Sequence, residues 1–293
     1  MPLLDWVLFF GGGLALYFGA EWLVRGGASL AARFGVPPVT IGLTVVAYGT
    51  SLPEVVVSGS ASLQGSGGVA LGNVFGSNIC NVALILGLAC VLRPLSINRR
   101  LVRREIPFLV GVSGLIVLML ADGMVGRAEG MTLLGLGMLF TWALFRLSDP
   151  RELREELEVD EYVVVRRTAI AGDIARVAIG CVALFLGGAW FVDGATGIAR
   201  WIGISETVIG LTMVAFGTSL PELVTILIAV RRGQHDIGVG NIIGSNVFNL
   251  TIVFGSAAAL VPVPFPGGGA WGDVAFSLVL PLAVMLFRGR AGR

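Results

Sequence analysis

The segment GLTVVAYGTSLPE at residues 42–54 recurs as GLTMVAFGTSLPE at residues 210–222. The copies differ at two of thirteen positions and are offset by 168 residues (210 − 42). Each copy places hydroxyls, a proline and a glutamate inside an apolar stretch long enough to span a bilayer. A proline kink with one tolerated carboxylate would have to arise twice with the same residues. Because an ionisable group at membrane depth is costly, Glu54 and Glu222 are predicted to lie on an ion or substrate path.

Helical spacing places four residues of the first copy on one face. They are Ala47, Thr50, Ser51 and Glu54. Pro53 cannot donate to the carbonyl of Gly49, and broken backbone at membrane depth is stable only inside protein or beside a wet cavity. Free carbonyls next to hydroxyls and a carboxylate form the oxygen-rich environment that Ca²⁺ and Na⁺ prefer. No histidine or cysteine cluster favours zinc or copper.

A second pair of motifs follows at the same offset: GNVFGSNICN at residues 72–81 and GNIIGSNVFN at residues 240–249. Ser77 and Asn81 lie one helical turn apart on one face. Alone, such residues would indicate helix–helix hydrogen bonding. Their repetition at Ser245 and Asn249 predicts instead that all four line the site. The neighbouring Asn78 and its counterpart at position 246 fit either role: satisfying a broken helix or lining the site.

These four paired, ungapped blocks resemble the signature repeats of the cation/calcium exchanger superfamily, specifically its bacterial and archaeal sodium/calcium exchangers. The resemblance covers nearly the whole chain. It implies that Ca²⁺ is held by Glu54, Glu222 and the carbonyls of Thr50 and Thr218. For Na⁺ it implies the same glutamates together with Ser51, Ser219, Ser77, Ser245 and the carbonyls of Ala47 and Ala215. The set of candidate metal ligands is completed by Asn81 and Asn249.

The resemblance also implies the activity, which is secondary antiport of Na⁺ and Ca²⁺ by alternating access at one shared midplane site. Three Na⁺ per Ca²⁺ are expected, so that exchange is electrogenic. Many family members carry an aspartate in one repeat where this chain has Asn81 or Asn249, so its site has two carboxylates only. The expected partners are the transported ions and the lipid bilayer. No prosthetic group, nucleic acid or protein partner is expected.

Composition excludes a soluble domain, because 55% of the 293 residues are hydrophobic and only 13% are charged. The chain is predicted to be an all-α polytopic membrane protein of about nine spans. Residues 1–147 form a first repeat of five spans, 148–172 an acidic cytoplasmic linker, and 173–293 a second repeat of four. The predicted spans are Leu3–Leu23, Pro37–Leu63, 69–Leu92, Glu105–Ala121, Val125–Leu147, Asp173–Gly194, Ser205–Val230, Ile237–Val261 and Trp271–Phe287. The counterpart of span five is missing, since the offset places Arg293 opposite Val125.

The two signatures lie in spans two and seven, an odd offset of five spans, and therefore run in opposite directions as inverted-topology repeats with discontinuous signature helices. Arginine placement supports this arrangement independently. Alternate connections, beginning after span one, hold 18 of the 20 arginines, and the other side holds only Arg127 and Arg200. The positive-inside rule makes the first side cytoplasmic. The protein is thus predicted in the cell membrane, with its N-terminus outside and its C-terminus in the cytoplasm.

Other polar features have simpler interpretations. Glu21 and Arg25 are four residues apart and are predicted to form an ion pair at the membrane edge, followed by a loop from Arg25 to Val36. His235 is predicted to be a solvated loop residue. The acidic linker shows no EF-hand spacing, which favours a solvated connection over a regulatory Ca²⁺ site. The three cysteines lie in apolar segments and are predicted to be packing residues: Cys80, Cys90 and Cys181.

Alternatives to sodium-coupled exchange stay open at this point. Proton/calcium exchangers of the superfamily carry their glutamates in a Gly-Asn-x-x-Glu context, whereas this chain has Gly-Thr-Ser-x-Pro-Glu. The residues do not exclude a potassium-dependent exchanger. A passive cation channel also fits inverted repeats and two carboxylates, but it needs weak multi-site binding and a continuous pore. An enzyme is not predicted, because no Ser/His, Cys/His or zinc constellation accompanies these carboxylates.

Overall fold

The computed structural model describes residues 3–95, 97–148, 170–205, 209 and 215–286. Most of the predicted linker, the start of the second signature at 210–214 and the arginine-containing segment 287–293 lie outside the described residues. The described part is nearly all helical, as predicted. Its helices are α1 Leu3–Phe34, α2 Pro38–Thr50, α3 Leu52–Leu63, α4 Gly67–Leu92, α5 Leu101–Asp122, α6 Arg127–Arg146, α7 Ile170–Trp201, α8 Ala215–Gly217, α9 Leu220–Arg231, α10 His235–Leu260 and α11 Ala270–Leu286.

One short β pair is the exception to the all-α prediction. Strand β1, Met124–Val125, connects α5 to α6, and strand β2, Val263–Pro264, connects α10 to α11. The strands are antiparallel, with Met124 opposite Pro264. The amide of Phe265 also donates to the carbonyl of Gly123 at 2.9 Å. The pair therefore ties two helix connections together at one end of the bundle.

Six described helices are long and apolar enough to cross a membrane: α1, α4, α5, α6, α7 and α10. The number rises to seven when α2 and α3 count as one span, because a bend of 49° separates them. The second signature lies partly outside the described residues, and α11 is an apolar helix shorter than these. The part of the chain that the structure describes thus belongs to a membrane protein with several spans, while the number nine stays a prediction.

Several helices extend beyond their predicted ends, because charged residues form ion pairs inside them. The loop predicted from Arg25 to Val36 is wrong, since α1 continues to Phe34. The predicted Glu21–Arg25 ion pair is present at 2.7 Å, so the helix passes through these charges. Likewise α5 begins at Leu101, four residues before the predicted span Glu105–Ala121, and Arg100 Nε lies 2.9 Å from Glu105 Oε1. Hydropathy alone ends a span at the first charge, whereas a paired charge is tolerated at a helix end.

Helices α1 and α7 pack with their backbones in contact through glycines spaced seven residues apart. These are Gly12, Gly19 and Gly26 on α1, and Gly180, Gly187 and Gly194 on α7. A Cβ at Gly19 would lie 3.0 Å from the carbonyl oxygen of Gly180, and one at Gly180 would lie 2.8 Å from the oxygen of Gly19. Small residues allow such an approach between membrane helices, where packing rather than hydrophobicity drives association. The two sets are again 168 residues apart (180 − 12).

Helix α10 is the central helix, because 94% of its most apolar 18-residue segment is buried inside the protein. The glycines of its motif explain how it approaches α2 of the first half. A Cβ at Gly244 would lie 2.5 Å from the carbonyl oxygen of Leu43, and one at Gly240 would lie 2.9 Å from that of Val39. On α2, a Cβ at Gly42 would lie 2.6 Å from the oxygen of Ile237. The motif glycines therefore place a helix of one half directly against a signature helix of the other.

The glycine contact between α1 and α7 yields a test with adjacent residues. Gly12→Ala places a Cβ 2.4 Å from the amide nitrogen of Phe191, whereas no described atom lies within 4 Å of a Cβ at Gly11. We expect Gly12→Ala to lower the free energy of unfolding by about 1–3 kcal/mol through overpacking. Gly11→Ala is expected to be neutral or slightly stabilising, since alanine favours helix by about 1 kcal/mol. Thermal unfolding in detergent measures both, and equal melting temperatures would contradict this packing.

Candidate cation site

The first signature helix breaks at Ser51, between α2 and α3. Ser51 has φ −88° and ψ 13°, and Pro53 is the second residue of α3. The second signature breaks in the same way at Ser219, with φ −89° and ψ 3°, before α9. Each break leaves a glutamate in the first turn of a half-helix, Glu54 in α3 and Glu222 in α9. The partial positive charge of a helix N-terminus favours a carboxylate at that position.

Both glutamates are fully buried and interact with each other electrostatically. The Ser77 hydroxyl donates to Glu54 Oε1 at 3.4 Å, and the Ser245 hydroxyl donates to Glu222 Oε1 at 3.3 Å. Ser51 reaches across from the first half and donates to Glu222 Oε1 at 2.9 Å. The structure thus brings together side chains from both signatures and both second motifs, which are far apart in the sequence.

These two glutamates differ from the other buried carboxylates of the described residues. Glu105 is paired with Arg100, and Asp173 lies 3.0 Å from Arg33 and 2.8 Å from Arg176. In the described part of the chain, neither Glu54 nor Glu222 contacts a basic side chain. Hydroxyls surround both, and the two carboxylates interact with each other electrostatically. A buried pair of like charges without a countercharge is unfavourable in a low dielectric. The site therefore requires a cation or protons to neutralise it.

Several oxygens at this site have no hydrogen-bond partner among the described residues although they are buried. They are Glu54 Oε2, Glu222 Oε2, Asn81 Oδ1, Asn249 Oδ1, Thr218 Oγ1 and Ser219 Oγ. A buried polar atom normally has a partner, and leaving it without one costs about 1–3 kcal/mol. Carboxylate, amide and hydroxyl oxygens are the ligands of hard cations. The donor set therefore fits Ca²⁺ or Na⁺ as cargo.

The threonines of the signatures lie beside the glutamates in different arrangements. Thr218 lies next to Glu54. The Thr50 hydroxyl donates at 3.0 Å to Asn241 Oδ1 and lies 3.2 Å from the carbonyl of Ala47. That carbonyl also accepts from the amide of Ser51 at 3.0 Å, so two donors already approach the oxygen proposed as a Na⁺ ligand. For Ala215 only the backbone is described, in α8.

Four of the six asparagines of the second motifs form a reciprocal network between α4 and α10. Asn78 Nδ2 donates to the carbonyl of Asn246 at 3.2 Å, and Asn246 Nδ2 donates to the carbonyl of Asn78 at 3.3 Å. Asn81 Nδ2 donates to Asn246 Oδ1 at 3.0 Å, while Asn249 Nδ2 donates to Asn78 Oδ1 at 3.1 Å. Asn78 and Asn246 therefore bind each other, which orients Asn81 and Asn249 with their Oδ1 atoms unpaired.

Wide π-helical turns support this network in both halves. They span Cys80–Leu86 in α4 and Asn249–Val253 in α10, and a third spans Gly42–Val46 in α2. A π turn adds a residue to the helical turn and is frequent at functional sites. The turns in α4 and α10 begin at or next to the asparagines Asn81 and Asn249. Hydrophobic periodicity carries no signal for them, so the sequence did not predict these turns.

Two features of the site were not predicted from the sequence. Asn241 accepts the hydroxyl of Thr50, and Asn73 donates to Ser58 at 2.9 Å. The sequence did contain a signal for these two asparagines, because each is the second residue of a repeated second motif, at 72–81 and 240–249. Cys80, predicted as a packing residue, packs on the core, yet its thiol also lies beside Ser219. Phe248 stands at the equivalent position of the second half, so the two halves of the site differ here.

Comparison with known proteins places this geometry in a family. The model of the family "Sodium/calcium exchanger protein" matches residues 4–146 and 173–291 of this chain. The inner membrane protein YrbG of Escherichia coli (strain K12) is 41% identical over 255 residues, covering 85% of this chain and 78% of that protein. The sodium/calcium exchanger MaX1 of Methanosarcina acetivorans is 28% identical over 304 residues, covering 92% and 87%.

A solved structure agrees over the whole length of the chain. The sodium-calcium exchanger NCX_Mj has a TM-score of 0.84 and 30% identity, with 99% of this chain and 92% of that chain covered. The family match includes both signatures and both second motifs, from which the buried carboxylates, hydroxyls and amides of the site come. This chain therefore belongs to the sodium/calcium exchanger family, a family of membrane transporters.

Proposed function

We propose that this protein exchanges Na⁺ for Ca²⁺ by alternating access at one site shared by Glu54 and Glu222. The observation that carries the proposal is the pair of buried carboxylates, which have no basic partner among the described residues and lie beside oxygens without a hydrogen-bond partner there. The MaX1 and NCX_Mj names, which specify sodium and calcium, support the choice of ions. The site is proposed to lie near the membrane midplane, where inverted-repeat transporters bind their substrates.

Charge neutralisation couples the two ions. One Ca²⁺ neutralises two glutamates, and several Na⁺ spread over neighbouring oxygens do the same. Because the carboxylates are shared, the two ions exclude each other, and no signal between distant sites is needed. A site left with uncompensated charge pays the cost of burying it and resists the change between inward- and outward-facing states. Exchange, rather than leak, follows from that cost.

The ligand assignment extends the resemblance to the residues of this chain. Ca²⁺ is assigned to Glu54, Glu222 and the carbonyls of Thr50 and Thr218. Na⁺ is assigned to the same glutamates with neutral oxygens, and Asn81 and Asn249 complete the site. Those neutral oxygens come from Ser51, Ser219, Ser77, Ser245, Ala47 and Ala215. The Ala47 carbonyl already accepts the amide of Ser51 at 3.0 Å and lies 3.2 Å from the Thr50 hydroxyl, so its use by Na⁺ requires a local rearrangement of the break.

The domain plan is part of the proposal. Residues 1–147 and 173–293 are proposed as inverted repeats of five and four spans, joined by the linker 148–172. The reciprocal hydrogen bonds between Asn78 and Asn246 support this plan, because the side chain of each donates to the backbone carbonyl of the other. The matched glycines of α1 and α7 support it as well.

Replacing either glutamate by glutamine tests the site. Glu54→Gln and Glu222→Gln keep the shape of the side chain but remove half of the neutralising charge, so each is expected to abolish Ca²⁺ uptake into Na⁺-loaded proteoliposomes. Glu129→Gln is the matched control, because Glu129 lies outside the site and accepts from the amide of Gly126 at 2.7 Å. Uptake of ⁴⁵Ca²⁺ measures all three. Normal uptake by either site variant would remove the core of the proposal.

The same assay separates the alternatives. Vesicles loaded with Na⁺, with Na⁺ and K⁺, or with a proton gradient alone distinguish sodium, potassium-dependent and proton coupling. Uptake that requires no counter-gradient would indicate the passive cation channel.

The charge balance of the loaded site predicts the response to membrane potential. Three Na⁺ against two glutamates leave the site at +1, whereas one Ca²⁺ leaves it neutral. We therefore expect one net charge to cross per cycle, so that 100 mV changes the driving force by about 2.3 kcal/mol. Reversal potentials across Na⁺ and Ca²⁺ gradients measure this. Asn249→Asp is expected to leave the reversal potential unchanged, because an amide already serves at Asn81. Voltage-independent exchange would require two Na⁺ per Ca²⁺ and would refute the proposed stoichiometry of three Na⁺ per Ca²⁺.

The proposed orientation places the arginine-rich connections in the cytoplasm, the N-terminus outside and the C-terminus inside. Single cysteines in a background without native cysteines test it. Ala121→Cys, at the end of α5, is expected to react with a membrane-impermeant maleimide added to intact cells. Pro94→Cys, between α4 and α5, is expected to react only after the membrane is opened; both positions are exposed. The reverse pattern would invert the topology and contradict the arginine assignment.

A further inference from the structure

A groove outside the cation site separates α6 from α10 and reaches the first signature helix. Its volume is about 620 Å³, within the roughly 300–1,000 Å³ typical of small-molecule sites. Tyr48 of α2 and Phe248 of α10 line it, with ring centroids 4.4 Å apart. Tyr48 precedes the break at Ser51, and Phe248 precedes Asn249, so the groove lies against two helices that contribute to the site.

The walls of the groove face the membrane. Met138 and Trp142 of α6 are 62% and 61% exposed, and Phe145 is 42% exposed. On a helix that spans a bilayer, exposed apolar side chains of this kind meet hydrocarbon rather than water. An apolar groove that opens onto hydrocarbon is filled by acyl chain. Its polar atoms are internally satisfied, since the hydroxyl of Tyr48 hydrogen-bonds Thr141, which donates to the carbonyl of Gly137 at 2.9 Å.

Arg146 is the charged residue among the described residues that line the groove. It is the last residue of α6, so its guanidinium lies at the end of a helix long and apolar enough to span a membrane. It is exposed. No carboxylate within the described ranges forms an ion pair with it, in contrast to Arg25, Arg33 and Arg100. A guanidinium at a membrane interface binds phosphate oxygens through paired N–H donors.

We propose that the groove binds an anionic phospholipid, with one acyl chain against Tyr48 and Phe248 and the headgroup phosphate at Arg146. The argument is one of complementarity: an apolar slot open to the bilayer ends at an arginine without a carboxylate partner in the described residues. Basic residues at the membrane interface select anionic lipids. The bound lipid packs on α2 and α10 beside the ion site and holds α6 against them. The inference does not depend on which ions are transported.

Fluorescence quenching of Trp142 tests this binding directly. A variant that keeps Trp142 and replaces the other five tryptophans by phenylalanine is placed in vesicles that contain lipids brominated on the acyl chain. We expect brominated phosphatidylglycerol to half-quench Trp142 at about a fivefold lower mole fraction than brominated phosphatidylcholine. A fivefold ratio corresponds to the roughly 1 kcal/mol by which one arginine near the membrane surface favours an anionic lipid.

Substitutions at the two ends of α6 provide the matched comparison. Arg146→Gln is expected to abolish the preference, and Arg146→Lys to retain most of it. Arg127→Gln, which removes the same charge from the first residue of the helix, is expected to leave it intact. Equal quenching by both lipids, or equal effects of Arg127→Gln and Arg146→Gln, would overturn the proposal. Quenching by a brominated free fatty acid as strong as that by phosphatidylglycerol would overturn the phospholipid as the ligand.

Discussion

The structure depends on two carboxylates buried together without a countercharge. Elsewhere in the described residues, buried acids are paired: Asp173 contacts Arg33 and Arg176, and Glu105 contacts Arg100. Glu54 and Glu222 contact hydroxyls and interact with each other electrostatically, so their charge is left for a cation or protons to neutralise. A permanent arginine at this place would stabilise the fold but would also occupy the position of the cargo. In the proposed exchange mechanism, the instability of the empty site is part of how ion movement is coupled to conformational change.

Such a site needs a scaffold that does not relax around it. The asparagine network between α4 and α10 supplies this, because each of the four amides holds another in place and Asn81 and Asn249 cannot turn to satisfy their own oxygens. Glycines at 42, 240 and 244 bring α2 and α10 into backbone contact beside the network. Side chains at these positions would separate the helices and thereby move hydroxyl and carboxylate ligands apart.

The two halves are alike in plan but not in detail. Ser51 donates to Glu222, whereas its counterpart Ser219 lies beside Cys80 rather than bonded to Glu54. Tyr48 hydrogen-bonds Thr141 and packs against the ring of Phe248; the equivalent positions of the other half hold Phe216 and Cys80. A transporter with inverted repeats exchanges the conformations of its halves as access alternates. For the inverted-repeat exchanger proposed here, an asymmetric network around one site is the form expected of a single state of the cycle.

The sequence by itself determined the membrane class, the nearly all-helical fold, the broken signature helix and the family, because hydropathy, proline and exact repetition are local signals. It also singled out Glu54, Glu222 and their hydroxyl and amide neighbours, whose roles as ligands remain proposals. Only the tertiary structure decided that Ser51 serves the glutamate of the other half, that Asn78 and Asn246 bind each other, and that α1 continues through Arg25 to Phe34. Those outcomes depend on which groups meet across helices, and spacing along one helix carries no information about its partner.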